Sequence, residues 1–475
     1  MTPKGPRRAV ALSRRWLAVG LVCAALPAAR APAQEEGRRV YNEQLRVALD
    51  EQAPEAREVG FDAGGWFNFA YFTYNDPPAG TDRTLRQYEL RGWASASIEA
   101  VHRFYVRGLL RYDDWNAHTN PKAWEGDDFQ EHLERAWYQF DLGQMIRNQT
   151  GQAPATDLKV KVGREFATIG TAFVLSMPLD LVQMDLKVGE WEFMTLLGKA
   201  IHDSDNIDSS PFIATHQDRC FWGVQAAYNG FDRHRPFVYF LNNQDNSDPH
   251  PDDPDQEYEY TSRYVGGGST GSLFLPHLRY QAELVGEWGR TYSDGVRAGR
   301  DQIEAMALDA LLEYLFPCRR HPKVSVEYVF ASGDSDRQTS SSATVGGNRP
   351  DTDDHAFNAF GFRDTGIAFA PRVSNLHMYS LGASFFPLEE IALLEKMELG
   401  SKVFFFHKAA SGGPISDAAA DRDSRWLGWE WDVYCNWRIT SDLTWTIRYG
   451  AFQPGEAFTN DTCRQFLYTG VTFSF

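Results

Sequence analysis

No run of about 18 consecutive apolar residues follows Ala33, so the body of the chain offers no helix able to cross a bilayer. Cysteine is scarce: beyond Cys23 there are Cys220, Cys318, Cys435 and Cys463, far apart and without metal-type spacing. They permit disulfides in an oxidising compartment but define no framework. His102, His132, His250, His277, His377 and His407 are scattered, with no ligand spacing among them. Gly-x-Ser-x-Gly, a Walker loop and HExxH are all missing, which leaves an enzyme as a minor reading. Positive charge is in deficit, and the net charge of -17 argues against nucleic-acid binding by the whole chain. No repeat period of a propeller or β-helix is present.

What the chain does have is aromatic side chains, 14% of residues, at a mean hydropathy of only -0.44. That combination suits a transmembrane β-barrel, in which only alternate residues of each strand touch lipid. Residues 1–33 read as a secretory signal: Arg7, Arg8, Arg14 and Arg15 precede a short apolar core, and Ala31-Pro32-Ala33 offers a cleavage site. Residues 34–60 are polar, with Tyr41, Leu45, Ala48 and Leu49 at helical spacing, and read as a short periplasmic or plug segment. Residues 61–475 form the barrel.

From Phe61 onward, runs of roughly ten residues alternate with period two, the length a tilted strand needs to cross a bilayer. Eighteen such runs begin near Phe61, Thr84, Val101, Glu131, Leu158, Phe173, Trp191, Cys220, Pro236, Tyr264, Leu278, Ile303, Lys323, Asn375, Met397, Gly428, Leu443 and Arg464. The connections are asymmetric. Those at Asn116–Asp128, Ile201–Arg219, Asn242–Arg263, Ser332–Val373 and Ala409–Arg425 are long and all follow odd-numbered runs; most others are short. Gly143–Asp157 is the exception, a longish connection after an even-numbered run. The reading is an all-β, single antiparallel up-and-down barrel of about 18 strands, with periplasmic termini and long extracellular loops.

Alternation assigns faces. In Trp429–Thr440, Trp429, Trp431, Val433, Cys435, Trp437 and Ile439 share one side, and Glu430, Asp432, Tyr434, Asn436 and Arg438 the other. A basic residue at the bilayer midplane costs about 2–4 kcal/mol, so the charged side faces the lumen. The same logic makes pore-lining candidates of Arg91, Arg103, Arg107, Arg111, Arg135, Lys161, Arg279, Lys323, Lys402, Arg438 and Arg448. Their acidic counterparts are Glu89, Glu99, Asp141, Glu283, Glu287, Asp309, Glu313, Glu327, Glu398, Glu430 and Asp432. Such a lumen guides a hydrated or charged solute, and an 18-stranded barrel is wide enough for an aqueous channel. Arg103, Arg107 and Arg111 are three like charges on one inward face, so they require wall carboxylates or a passing anion. The last run ends with Val471, Phe473 and Phe475 on its apolar side, the pattern of a barrel-assembly signal.

Several patterns resemble the bacterial alginate-export family of outer-membrane barrels. They are Val162-Gly163-Arg164-Glu165 with Ile169-Gly170, Glu327–Asp334, Asp354–Asn358, Leu427–Asp432 and Tyr449–Gly455. The resemblance implies an 18-stranded barrel and a transport role, with an anionic polysaccharide as the best-known cargo. The chain departs from the family after Gly170, where Ala172-Phe173-Val174-Leu175-Ser176-Met177-Pro178-Leu179 replaces a basic, polar stretch.

The expected function is therefore an outer-membrane channel for a hydrophilic, charged saccharide or small anionic solute. The alternatives are a sheath around a periplasmic partner, such as a multihaem electron carrier, and a barrel enzyme. Expected partners are outer-membrane lipid, the barrel-assembly machinery and the solute. No cofactor is implied. Hard oxygen ligands at Asp252, Asp253 and Asp255, and again at Asp351, Asp353 and Asp354, are calcium candidates. Without an EF-hand pattern, solvated loops are the favoured reading of both.

Overall fold

The computed structural model describes residues 59–475 apart from 77–80, 117–126, 202–217, 248–258, 276, 293–299, 339, 343–347 and 350–351. The expected signal, most of the segment 34–60 and the acidic group Asp252, Asp253 and Asp255 lie outside the described residues.

Eighteen strands form a closed antiparallel barrel. The first nine are β1 (Val59–Asp76), β2 (Thr81–Ile98), β3 (His102–Trp115), β4 (Asp128–Asp141), β5 (Thr156–Ile169), β6 (Leu175–Val188), β7 (Trp191–Ala200), β8 (Arg219–Tyr228) and β9 (His234–Asp245). The rest are β10 (Thr261–Ser272), β11 (Leu278–Tyr292), β12 (Arg300–Leu315), β13 (Lys323–Ala331), β14 (Leu376–Phe385), β15 (Met397–His407), β16 (Trp426–Arg438), β17 (Leu443–Pro454) and β18 (Arg464–Ser474). Each strand pairs with its neighbours in sequence, and β18 pairs with β1 to close the ring. Every expected run begins within three residues of an observed strand.

The glycine-rich run is a true strand, β10, paired on both sides. Its glycines admit the rings of β9: a Cβ on Gly266 would lie 2.1 Å from the Tyr239 ring. Bare backbone here is occupied by a neighbour's aromatic side chain, which replaces the missing packing.

The two faces separate as alternation requires. On β16, Trp429 and Trp431 are 42% and 45% exposed while Glu430 between them is fully buried. The exposed outer surface carries an apolar band that includes Phe104, Leu110, Leu284 and Phe473. One expected inward charge is placed differently. Glu99 sits exposed in the β2–β3 turn, with φ 53°. Asp141 ends β4 on its buried, inward face and also N-caps the single helix among the described residues, α1 (Leu142–Thr150), accepting a hydrogen bond from Gln144 N at 2.7 Å. That helix accounts for the exceptional length of the Gly143–Asp157 connection. The connection was legible as long but not as helical.

The segment between β13 and β14, residues 332–375, turns inward. Phe360 N donates to Val174 O at 2.8 Å and Ser176 N to Phe360 O at 2.9 Å, so the segment docks on the wall between β5 and β6. Asp354 likewise exchanges backbone hydrogen bonds with β12, through Gln302 O at 2.7 Å and Glu304 N at 2.9 Å. Phe173, Val174 and Leu175 are buried in one apolar cluster with Phe357 and Phe360. The apolar stretch after Gly170 is thus the dock for this inner segment, which needs hydrophobic surface where a bare channel wall needs polarity.

Candidate functional site: a lumen divided by its inner segment

The inner segment is pinned by wall carboxylates. Glu430 accepts from Ile367 N (2.5 Å), Ala368 N (2.7 Å) and Phe369 N (2.8 Å). Three converging backbone donors satisfy a buried carboxylate that would otherwise be costly to desolvate. Phe369 then stacks on Phe452, with ring centroids 4.2 Å apart, and meets Phe406 and Phe458 edge-on. Glu287 accepts from Asn358 N at 3.0 Å and from Tyr260 Oη at 2.6 Å. Glu283 acts one step removed: it accepts from Thr171 N at 2.7 Å and Tyr239 Oη at 2.5 Å, and Arg363 of the segment donates to Thr171 O at 3.1 Å.

Charged pairs complete the attachment. Arg363 of the inner segment reaches Asp309 on β12 at 2.7 Å and lies over the Phe173 ring. Lys402 on β15 bridges Glu327 on β13 at 3.1 Å and Asp364 of the segment at 3.2 Å. Asp432 lies opposite Lys402 in the β15–β16 register. Farther along the segment, Arg337 pairs with Asp354. Burial raises the Asp354 carboxyl above its usual range, and the Arg337 guanidinium opposes that shift. Ile367 and Ala368 at the tip pack against Phe72, Leu85, Phe466 and Tyr468, which belong to β1, β2 and β18.

The opposite wall is basic. β3 lies nine strands from β12 in the ring, so β2–β5 face β11 and β12, whose Glu287 and Asp309 hold the segment. Here Arg91 lies 2.9 Å from Glu89 and from Glu134, and Arg107 lies 2.7 Å from Glu134. Arg111 contacts Asp113 at 2.6 Å, Arg135 contacts Glu165 at 3.3 Å and Lys161 contacts Glu165 at 3.4 Å. In these contacts the five cations lie among Glu89, Asp113, Glu134 and Glu165. Arg103, which completes the predicted arginine row, has no ion-pair partner among the described residues. Trp66 lies under both Arg91 and Arg107, with centroid distances of 5.9 and 5.6 Å.

Sequence reasoning placed these arginines inward but missed Glu134. A register shift between Arg107 and Gly108 marks a bulge opposite, in β4. The bulge turns the adjacent residues Glu134 and Arg135 both into the lumen. The signal available was two consecutive charges interrupting an alternating run. Arg363 and Asp364 were missed because they sit in a connection, where alternation says nothing.

Other candidates lie away from the inner segment. Glu313 and Lys323 pair at 3.7 Å near the short-turn rim, where Arg279 faces Glu313 in register and Arg438 donates to Ser441 O. Arg448 is half-buried in the inner face of β17. Among the described residues, no three His, Cys, Asp or Glu side chains gather as metal ligands. The four cysteines Cys220, Cys318, Cys435 and Cys463 are free thiols.

The Alginate export family model matches residues 147–472. The chain belongs to the alginate export family. Its fold recurs in solved Pseudomonas aeruginosa outer-membrane proteins. OccK5 (OpdH) is 12% identical, with 87% of this chain and 98% of that chain covered at a TM-score of 0.53. OccK8 (OprE) is 9% identical with the same coverage and TM-score. OccK2 (OpdF), solved in complex with glucuronate, is 11% identical, with 87% and 97% covered at a TM-score of 0.53. No curated protein matches the chain. This alginate-export member is accordingly a bacterial outer-membrane β-barrel, and a channel for solutes.

Proposed function

We propose that the channel passes a hydrophilic anionic solute of the sugar-acid class along the β2–β5 wall. The observation that carries this reading is the one-sidedness of the lumen. The inner segment takes up Glu287, Asp309 and Glu430 directly, while the opposite wall carries Arg91, Arg107, Arg111, Arg135 and Lys161, with Arg103 beside them outside any ion pair among the described residues. A row of arginines in a confined aqueous path attracts anions and offers planar, bidentate donors to a carboxylate. In this reading the long connections are extracellular and both termini periplasmic, the usual arrangement of such barrels. The glucuronate complex of OccK2 supports a sugar acid as the solute class.

A protein sheath fits less well, because the segment 332–375 occupies lumen that a threaded partner would need. Reversal potentials in planar bilayers under a potassium glucuronate gradient test the proposal. Anion preference that falls on replacing Arg103 and Arg107 by Glu is the expected result. A cation-selective or non-selective native pore would overturn it.

A further inference from the structure

The barrel wall forks between β4 and β5. Their ladder pairs Ala136–Asp141 with Lys159–Arg164 and stops at Ala136 opposite Arg164. On either side the neighbouring ladders run on, β3–β4 to Asp128 and β5–β6 to Ile169. Beyond Ala136, Phe129–Leu133 of β4 and Phe166–Thr168 of β5 share no strand pairing among the described residues. The backbones pinch just below this point: Gly163 has φ +129°, and a Cβ there would stand 2.2 Å from Ala136 O.

Side chains finish the parted edges. Arg164 donates to Leu133 O at 3.0 Å, and Phe166 N donates to the Glu165 carboxylate at 2.8 Å. Backbone groups that lose a ladder partner must find another, and here the residues flanking the split supply it. Such capping marks a built feature of the wall and also blunts the edges against strand addition. Arg164 further makes a two-pronged ion pair with Asp180 on the outer, lipid-facing side, at 2.8 and 3.0 Å. A charged pair is costly on a lipid-facing surface, unless that surface is a threshold between water and hydrocarbon.

We infer that the β4–β5 fork is a side port of the lumen, holding the alkyl chain of an amphiphile whose anionic head sits among the lumen arginines. The inner rim carries three cations, Arg111, Arg135 and Lys161, set against Asp113 and Glu165. The outer rim is apolar, with Phe129, Leu133 and Val162 exposed. A carboxylate or phosphate inside and a hydrocarbon chain outside match the two rims in order. This assignment rests on the proposed anion path and extends it to a class of ligand that reaches the membrane sideways.

The test uses the full-length barrel in liposomes and a dodecanoic acid carrying a photoreactive diazirine at its far carbon, with its methyl ester as control. After irradiation, adducts are mapped by mass spectrometry. The acid is expected to label Phe129, Leu133 and Val162 about tenfold more than the comparably exposed Leu197, Val238 and Val326. The uncharged ester should label all six evenly. Even labelling by the acid, or fork labelling by the ester equal to that by the acid, overturns the port. Anion selectivity is recorded on the same preparation. Retained selectivity with even labelling removes the port alone, whereas lost selectivity removes the anion path and the port with it.

Discussion

Glu430 on β16 accepts a hydrogen bond at 2.8 Å from the backbone N–H of Phe369, 61 residues away in the chain, and so holds the inner segment to the wall. The same carboxylate serves Ile367 and Ala368. Replacing Glu430 by Ala strands three donors, at about 1–3 kcal/mol for each one left buried. The segment should then leave its dock without unfolding the barrel. Single-channel conductance of Glu430→Ala is expected to rise with larger fluctuations, while Glu430→Gln, which keeps an acceptor, changes it less. Equal conductance in all three proteins would mean that the segment does not narrow the path.

Phe369 makes the apolar half of the same attachment, stacked on Phe452 and edge-on to Phe406 and Phe458. Removing a buried phenylalanine ring costs about 3–5 kcal/mol. Because the ring belongs to the inner segment, the loss should fall on docking and not on the strand ladders. Phe369→Ala is expected to expose residues 360–372 to limited proteolysis while the barrel keeps its heat-resistant mobility in gels. Protection equal to the native protein would place the anchoring elsewhere.

The barrel was legible because alternation and loop asymmetry are local, repeated signals. Glu430 and Trp431 announce their faces through their neighbours at two-residue spacing. The occupied lumen was not legible. Asp309 and Glu327 read identically as pore-lining charges whether water or Arg363 and Lys402 stands before them. The fate of an inward carboxylate is decided by a segment far away in sequence, whose own pattern carries no period. Ala172–Leu179 did hold a clue, since an apolar stretch where a polar one belongs points to something packed against it.

Glu134 tests the basic wall. Its carboxylate bridges Arg91 and Arg107, and the β4 bulge puts it there. Glu134→Gln removes one negative charge from this wall and should strengthen anion preference, the opposite of Arg107→Glu. At 1 M salt the two variants should converge, since the screening length falls to about 3 Å. Reversal potentials at low and high salt read both effects. If Glu134→Gln left selectivity unchanged, the cluster would be a closed structural network and not part of the path.

The closing seam gives the last prediction. Phe475 exchanges two backbone hydrogen bonds with Gly65 on β1, each 2.9 Å, and its ring lies where a Cβ on Gly65 would meet it at 2.8 Å. The register is fixed from Trp66 opposite Ser474 to Tyr74 opposite Phe466. Phe475→Ala keeps the backbone pair and loses only the ring over Gly65. Gly65→Val forces the ring and the Arg91 carbonyl away and so strains the seam itself. If the ring matters chiefly to insertion, Phe475→Ala should lower the yield of folded barrel in cells, yet leave the unfolding temperature of purified barrel within a few degrees. Gly65→Val should lower both. A Phe475→Ala barrel that assembles at native yield but melts early would assign the ring to seam stability instead.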